Sequence, residues 1–418
     1  MVVTLVTEMF ERKQTIFDNE DVLHDDYRPD KIEERDEELE MYKSCLLPVI
    51  NGNQPRNIFL YGKTGVGKTA TTKYLLSHLE EDSKKYDDID LNIIYMNCED
   101  LTSSYRVAVN LVNELRSVEN QVSETGYPLS AIYTMLWQEF DSLESQIIIV
   151  LDEIDYISGD DSILYQIPRA RTNGNLEKSR VGIIGISNDF KFREMLDPRA
   201  EDTLCEREIH FPPYDANELQ NILSRRSKLA FKSDVLASGV IGLCSAIAAS
   251  DKGSARQALD LLLESGHIAR RQDDELVTTS HVEQAKLLLR KQQVEKSLRD
   301  LTVNDHLTLV SMVLAEIDES ENVPARRGVI FKKYLSLVGE IGNEALGERA
   351  FHNHLSELTM LGVLDRYERN EGRNGGIYYQ YELGMPIESV FSALEDIHFS
   401  FDLDVENLRD RARYKGII

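Results

Sequence analysis

The stretch 58–72, Ile-Phe-Leu-Tyr-Gly-Lys-Thr-Gly-Val-Gly-Lys-Thr-Ala-Thr-Thr, restricts the chain more than any other. The apolar run Ile58 to Tyr61 predicts a buried strand. Gly62 to Thr69 fits the spacing G-x-x-x-x-G-K-[ST], and a helical pattern follows over 68–80. Gly62, Gly65 and Gly67 let the backbone wrap close to phosphate oxygens with its N–H groups turned inward. The helix adds its positive N-terminal end. Such a strand–loop–helix holds a nucleoside triphosphate. Lys63, Thr64, Val66 and Ala70 complete the loop, Lys68 reaches the β- and γ-phosphates, and the Thr69 hydroxyl holds Mg²⁺.

A second constellation supports the first. Ile147 to Leu151 is a continuous aliphatic run, too short for a helix, and predicts a central parallel strand. It ends in Asp152-Glu153-Ile154-Asp155, and carboxylates at such a strand end lie at the crevice where α/β sheets bind ligands. Asp152 is expected to position Mg²⁺, and Glu153 to orient and polarise an attacking water. Val181 to Ser187 predicts another buried strand, followed by Asn188, which could contact the γ-phosphate or that water. Leu91 to Met96 predicts a further strand, and 31–50, 102–116 and 129–143 predict helices.

Phe211-Pro212-Pro213-Tyr214 breaks the chain after this α/β part. Asp215 and Glu218 have the spacing of a capping box, and the pattern is mainly helical from there to about Lys296. Arg256 lies in the first turn of a helix beginning near Gly253, where the helix dipole disfavours a cation, so it is expected to have an anionic partner. From 301 the pattern reads helix (305–317), helix (about 328–338) and helix (about 348–361). Val363 to Tyr367 and Ile377 to Leu383 then flank a Gly-containing tip as a β-hairpin. Three helices and a hairpin make a winged helix. The 418 residues therefore divide into an α/β domain (1–212), a helical domain (213–298) and a winged-helix domain (299–418).

Composition bounds the partners. No apolar run approaches the ~18 residues of a membrane helix, so a cytoplasmic, nucleoid-associated protein is expected. Cys45, Cys98, Cys205 and Cys244 lie far apart and form no C-x-x-C pair, as free thiols do. The formal net charge of −26 argues first against nucleic acid, and second for adaptation to high salt. Local clusters separate the two readings. Arg326, Arg327, Lys332 and Lys333 occur in a stretch without acid, and the hairpin carries Arg366, Arg369 and Arg373. This fits DNA contact combined with salt adaptation. The presumed recognition helix, from Glu348 through Arg349 and His352 to Leu355, is less basic than a DNA-reading helix is expected to be.

The loop Gly62–Thr69, the run Asp152–Asp155, Ile184 to Asp189, Phe211 to Tyr214, Gly253 to Leu259 and Leu164 to Arg171 follow one another in an order that resembles the archaeal origin-recognition and cell-division-control (Orc/Cdc) initiator family of AAA+ ATPases. The resemblance implies an α/β P-loop AAA+ domain with a parallel sheet, a helical lid domain and a C-terminal winged-helix domain. In that family's terms Lys68 and Thr69 are Walker A, Asp152 and Glu153 Walker B, Asn188 sensor 1 and Arg256 sensor 2 on the lid. Arg199 sits where the family carries the arginine that reaches a neighbour's nucleotide. Glu201 and Asp202 could instead hold it within its own chain. Tyr27, Pro29 and Arg35 lie in the segment that packs near adenine, and Tyr214 and Arg226 are assigned to the nucleotide with them. The region 101–109, with Arg106, is similar to the initiator-specific insertion that touches DNA.

By this resemblance the chain binds ATP or ADP with Mg²⁺, hydrolyses ATP slowly as a switch, binds double-stranded origin DNA, recruits the MCM helicase, and has paralogues of the same family as further partners. Two alternatives use the same motifs: a nucleotide-sensing winged-helix transcription regulator or origin-silent paralogue, and a protein-remodelling or clamp-loading AAA+ ATPase. The second gives no role to the arginines of the hairpin.

Overall fold

The aliphatic runs of the sequence lie side by side as one sheet. The computed structural model describes residues 16–157, 162–299, 301–319, 323–342, 344–370, 377–395 and 404–417. Strands β1 (Ile58–Tyr61), β2 (Leu91–Asn97), β3 (Gln146–Asp152), β4 (Arg180–Ser187) and β5 (Arg207–His210) pair in parallel in the order β2-β3-β4-β1-β5. Helices α1 (Asp36–Ile50), α2 (Lys68–Ser83), α3 (Ser104–Leu115), α4 (Leu129–Ser142), α5 (Ser162–Gln166), α6 (Phe192–Met195) and α7 (Pro198–Leu204) alternate with them.

Every residue of β3 is buried, as a central strand covered on both faces requires. Its side chains alternate between two cores. Ile147, Ile149 and Leu151 pack with Val107, Leu111, Ile132 and Leu136 of α3 and α4. Ile148 and Val150 pack with Tyr42, Leu46, Leu76 and Leu79 of α1 and α2. Each such aliphatic side chain stabilises the fold by roughly 1.5–3 kcal/mol relative to exposure. The chain leaves β1 for the far edge of the sheet and later returns to β4, so a crevice opens at the carboxyl ends of β1, β3 and β4.

One expectation needs correction, and one strand went unread. The first helix begins at Asp36 rather than near Lys31, because Arg35 turns its buried side chain inward at the N-cap. Strand β5 was not read from the sequence. It pairs only with β1, and of Arg-Glu-Ile-His only Ile209 is buried, so it carries no aliphatic run.

Helices α8 (Ala216–Ala230), α9 (Val240–Asp251), α10 (Ala255–Arg271) and α11 (Thr279–Arg299) follow. The expected capping box is present: Asp215 Oδ1 accepts from the Glu218 amide at 2.9 Å, and Glu218 Oε2 accepts from the Asp215 amide at 2.7 Å. The segment before α1 is anchored on these helices. The Phe17 ring lies 4.7 Å from that of Phe231, and a Cβ on Gly266 would come within 2.3 Å of Phe17. The chain divides into two compact units, Met1–Glu283 and Gln284–Ile418, with the division inside α11.

In the second unit, α12 (Val303–Asp318), α13 (Arg327–Ile341) and α14 (Glu348–Met360) are the three expected helices. Strands β7 (Leu364–Asn370) and β8 (Ile377–Leu383) form the antiparallel hairpin, and β6 (Ala325–Arg326) adds to its β8 edge. This is a winged helix. Helices α15 (Ile387–Glu395) and α16 (Val405–Tyr414) follow, joined by Arg409, which pairs with Glu388 at 3.0 Å and Glu406 at 2.8 Å and also with Glu395. No helix among the described residues is long and apolar enough to cross a membrane.

The ring of Phe351 on α14 is fully buried, 4.9 Å from Tyr334 and 5.1 Å from Phe331. Phe351→Ala is expected to destabilise the winged helix by about 3–5 kcal/mol, measured by urea unfolding of the whole chain. A loss below about 1 kcal/mol would contradict this packing.

Candidate functional site

The loop after β1 folds as its glycines require. Gly65 and Gly67 have φ of 79° and 96°, where side chains with a Cβ are strained. A Cβ on Gly65 would come within 2.0 Å of Ser254 Oγ, and one on Gly67 within 2.9 Å of the Tyr214 hydroxyl. The loop is thus wedged between the start of α10 and the chain break at Tyr214. Arg35 braces it from behind. Its guanidinium donates to the Val66 carbonyl at 3.1 Å and to the Pro212 carbonyl at 2.6 Å, and lies 3.6 Å from the centre of the Tyr214 ring.

Lys68 is 5% exposed. Its Nζ donates to the carbonyls of Gly62 (2.7 Å) and Lys63 (2.9 Å) and to Asn188 Oδ1 (2.9 Å). Burial pulls its pKa down to about 8, against the attraction of Asp152 and Asp155. Thr69 Oγ1 donates to Asp152 Oδ2 at 2.9 Å. Asp152 Oδ1 accepts from the Glu153 amide at 3.1 Å. Glu153 adopts a left-handed backbone, φ 56°. Burial, and then the neighbouring charges of Glu99, Asp152 and Asp155, push its carboxyl above the usual range. Asn188 links the strand ends: its Nδ2 donates to Glu153 Oε1 at 3.4 Å and its amide to Asp155 Oδ1 at 3.1 Å.

These groups face a cleft of about 490 Å³. Thr64, Gly65, Gly67, Lys68, Thr69, Ala70, Asp152, Glu153 and Asn188 line its floor, and Tyr27, Pro29, Tyr214, Arg226 and Arg256 line its walls. Arg256 has the anionic partner its position called for, Asp25, at 2.8 Å. Asp260, one turn further along α10, is pushed up to about 6 by burial and by Asp25. Arg226 donates to the Val22 carbonyl at 3.0 Å and lies 4.3 Å from the centre of the Tyr27 ring.

Other expected residues lie elsewhere. Gly62, Lys63 and Val66 hold Lys68 and Arg35 through their carbonyls, and none of them, nor Arg35, lines the cleft. Arg199 is also outside it, exposed at the start of α7, with its Nε donating to Asp197 Oδ1 at 3.1 Å. Glu201 and Asp202, expected as its partners, pair instead with Arg193 at 3.3 Å and Arg169 at 4.0 Å. Arg106 is exposed and donates to the Asp100 carbonyl at 3.1 Å, while its helix α3 buries Val107, Leu111 and Val112 in the core.

In the winged helix, Lys332, Arg349, Arg366 and Arg369 are exposed. Arg326 and Arg366 lie 4.2 and 4.8 Å from the ring centres of Tyr378 and Tyr379, and Arg369 donates to Gln380 at 3.1 Å. The stretch that lacks acid in sequence acquires it in space: Lys333 pairs with Asp318 at 2.6 Å and Arg327 with Glu348 at 3.6 Å. His352 Nδ1 is buried without a partner among the described residues. The tip 371–376, with Arg373, lies outside the described residues.

Sequence reasoning missed Asp25 and Tyr95. The Tyr95 hydroxyl donates to Asp152 Oδ2 from β2. Neither has a motif; Tyr95 reads only as part of an apolar strand.

The chain matches three family models: an AAA domain over residues 51–196, the Cdc6 AAA+ ATPase-type lid domain over 220–287, and the CDC6 C-terminal winged helix domain over 296–393. It is 50% identical over 411 residues to ORC1-type DNA replication protein 10 of Halobacterium salinarum, covering 98% of each chain. It is 49% identical over 409 residues to ORC1-type DNA replication protein 15 of Haloarcula marismortui, covering 98% of this chain and 99% of that one. The structure of the Aeropyrum pernix ORC1 protein in complex with DNA matches with a TM-score of 0.78 at 34% identity, over 93% of this chain and 98% of that one. With half of its residues shared across nearly its whole length, and with the AAA, lid and winged-helix modules in this order, the chain belongs to the ORC1-type DNA replication protein family.

Proposed function

We propose that the chain is an ATP-switched replication initiator that binds origin DNA and recruits the MCM helicase. The observation that carries this reading is the convergence of Lys68, Thr69, Asp152, Glu153 and Asn188 in one cleft with Arg256. The cleft volume falls within the roughly 300–1,000 Å³ of small-molecule sites. Two oxygen donors in contact, Thr69 Oγ1 and Asp152 Oδ2, suit a hard cation such as Mg²⁺. Bound there, Mg²⁺ supplies charge neutralisation at the phosphate oxygens.

The chain's own residues divide the remaining work. The loop amides and Lys68 bind the phosphates of ATP or ADP, and Tyr27, Pro29 and Arg226 offer a wall to the base. Glu153, whose carboxyl is raised, accepts a proton from the attacking water at Oε1 or Oε2, with Asn188 orienting it. Arg256 exchanges Asp25 for phosphate. A half-exposed ion pair of this kind is worth only about 0–1 kcal/mol, so the exchange costs little. Arg199, exposed outside the cleft, serves a neighbouring copy's nucleotide, and paralogues of the family are the natural neighbours. Slow hydrolysis then acts as a switch between the ATP and ADP forms.

The functional division is an ATP-binding base (1–212), a lid (213–298) and a DNA-binding winged helix (299–418), located at the nucleoid. DNA binding is supported by the Aeropyrum pernix relative, which is in complex with DNA, and by the exposed Arg326, Lys332, Arg349, Arg366 and Arg369. The pairing of Arg327 and Lys333 with acids and the buried Nδ1 of His352 favour a second reading, a paralogue with weak origin preference. Binding to the chain's own genomic DNA with ATP at high salt decides between them. Enrichment of a few repeats at one locus supports the initiator; its absence supports the paralogue.

Nucleotide binding is expected to fall about 100-fold or more in Lys68→Ala, measured by equilibrium dialysis with ATP. Binding also depends on pH with a definite sign. The free site loses the Lys68 proton near pH 8, whereas a bound triphosphate favours the charged amine. Affinity therefore falls as pH rises through 8, and binding at pH 9 takes up a proton. Calorimetry in two buffers of different ionisation enthalpy measures this uptake, and none at pH 9 contradicts the buried-lysine account. For DNA, replacing both Arg366 and Arg369 by Ala should lower the slope of log affinity against log salt by about 2, if each meets a phosphate. An unchanged slope removes the hairpin from the interface.

A further inference from the structure

Asp152 Oδ2 accepts hydrogen bonds from two hydroxyl groups. One is Thr69 Oγ1, at 2.9 Å; the other is Tyr95 Oη. The second carboxylate oxygen, Oδ1, is held by the Glu153 amide at 3.1 Å. Thr69 and Asp152 line the cleft, whereas Tyr95 does not. The parallel register explains how Tyr95 reaches this carboxylate. Tyr95 lies opposite Val150 and Asn97 opposite Asp152, so Tyr95 shares a sheet face with Asp152 and reaches it along the diagonal. Ile93, on the same face of β2, packs into the apolar core. At Tyr95 that face carries a hydroxyl instead of another aliphatic group. The ring is held from α2 by Lys73, whose Nζ lies 4.9 Å from the ring centre.

We propose that Tyr95 is a positioning residue for the divalent cation of this site, acting through Asp152. The inference rests on the reading that the cleft binds a nucleotide with Mg²⁺. A hydroxyl that binds a cation through an oxygen lone pair keeps its proton, so Thr69 can hold the cation and still donate to Asp152. Tyr95 is a second side-chain donor to Oδ2, reaching it from outside the cleft, and would keep the carboxylate turned toward the cation. Hydrogen bonds to a metal-ligating carboxylate fix its orientation, and removing them typically weakens metal affinity by about 10–100-fold.

The test uses the full chain as wild type, Tyr95→Phe and Tyr95→Leu. Mn²⁺ binding in the presence of ADP is followed by electron paramagnetic resonance, and ADP affinity is measured separately in EDTA. Both variants are expected to weaken Mn²⁺ by about 10-fold or more, while ADP affinity in EDTA stays within about twofold of wild type. Equal losses in Phe and Leu assign the effect to the hydroxyl. Mn²⁺ affinity within about twofold of wild type in Tyr95→Phe overturns the proposal. So does a parallel loss of ADP affinity in EDTA, which marks a merely structural role. Failure of the wild type to bind ADP or Mn²⁺ removes the nucleotide reading itself, and is distinguished by occurring without any substitution.

Discussion

A buried ammonium group sets the terms for the nucleotide-binding half of this protein. Lys68 is almost wholly withdrawn from water, and its charge is met by two loop carbonyls, by Asn188 and by the field of Asp152 and Asp155. An unpaired buried charge would cost several kcal/mol. The ends of β1, β3 and β4 must therefore stay together for Lys68 to stay where it is. The same demand shapes the loop. Only a backbone that turns through positive φ at Gly65 and Gly67 brings Gly62 and Lys63 back over the amine. The resulting site concentrates positive charge where a polyanion would lie, and negative charge beside it where a cation would.

The segment before α1 ties the helical part to that loop. Phe17 is seated over Gly266, where no side chain would fit. Asp25 meets Arg256, and the Val22 carbonyl meets Arg226. Arg35 joins the loop to Pro212 and stacks on Tyr214. One short stretch thus touches α8, α10, the loop and the chain break between the two parts.

The formal net charge of −26 bears on how the cations of the winged helix are met. In the winged helix, acids from α12 and α14 neutralise Lys333 and Arg327. Arg326, Lys332, Arg349, Arg366 and Arg369 are exposed. On the strands Arg326, Arg366 and Arg369 are matched in number by Asp365, Glu368 and Glu382, whereas α14 carries Arg349 against Glu348 and Glu357.

The sequence by itself determined the Gly-rich loop, the carboxylates after β3, the buried runs of four strands and the three-helix winged unit. Each is written in local spacing: glycines at turn positions, aliphatic runs of strand length, apolar residues at helical intervals. It also pointed to an anionic partner for Arg256, because a cation in a first helical turn is opposed by the dipole. Which acid, only the tertiary structure decided, since Asp25 is far from Arg256 in the chain. The edge strand β5 was hidden because an edge position buries one side chain and leaves no run to read. Arg35 looked like a cleft residue and proved to be a brace behind the loop, because burial and partners are properties of the packed chain. Tyr95 was illegible for the same reason. Its strand predicts burial, but the hydrogen bond to Asp152 exists only because β2 pairs with β3 in one register.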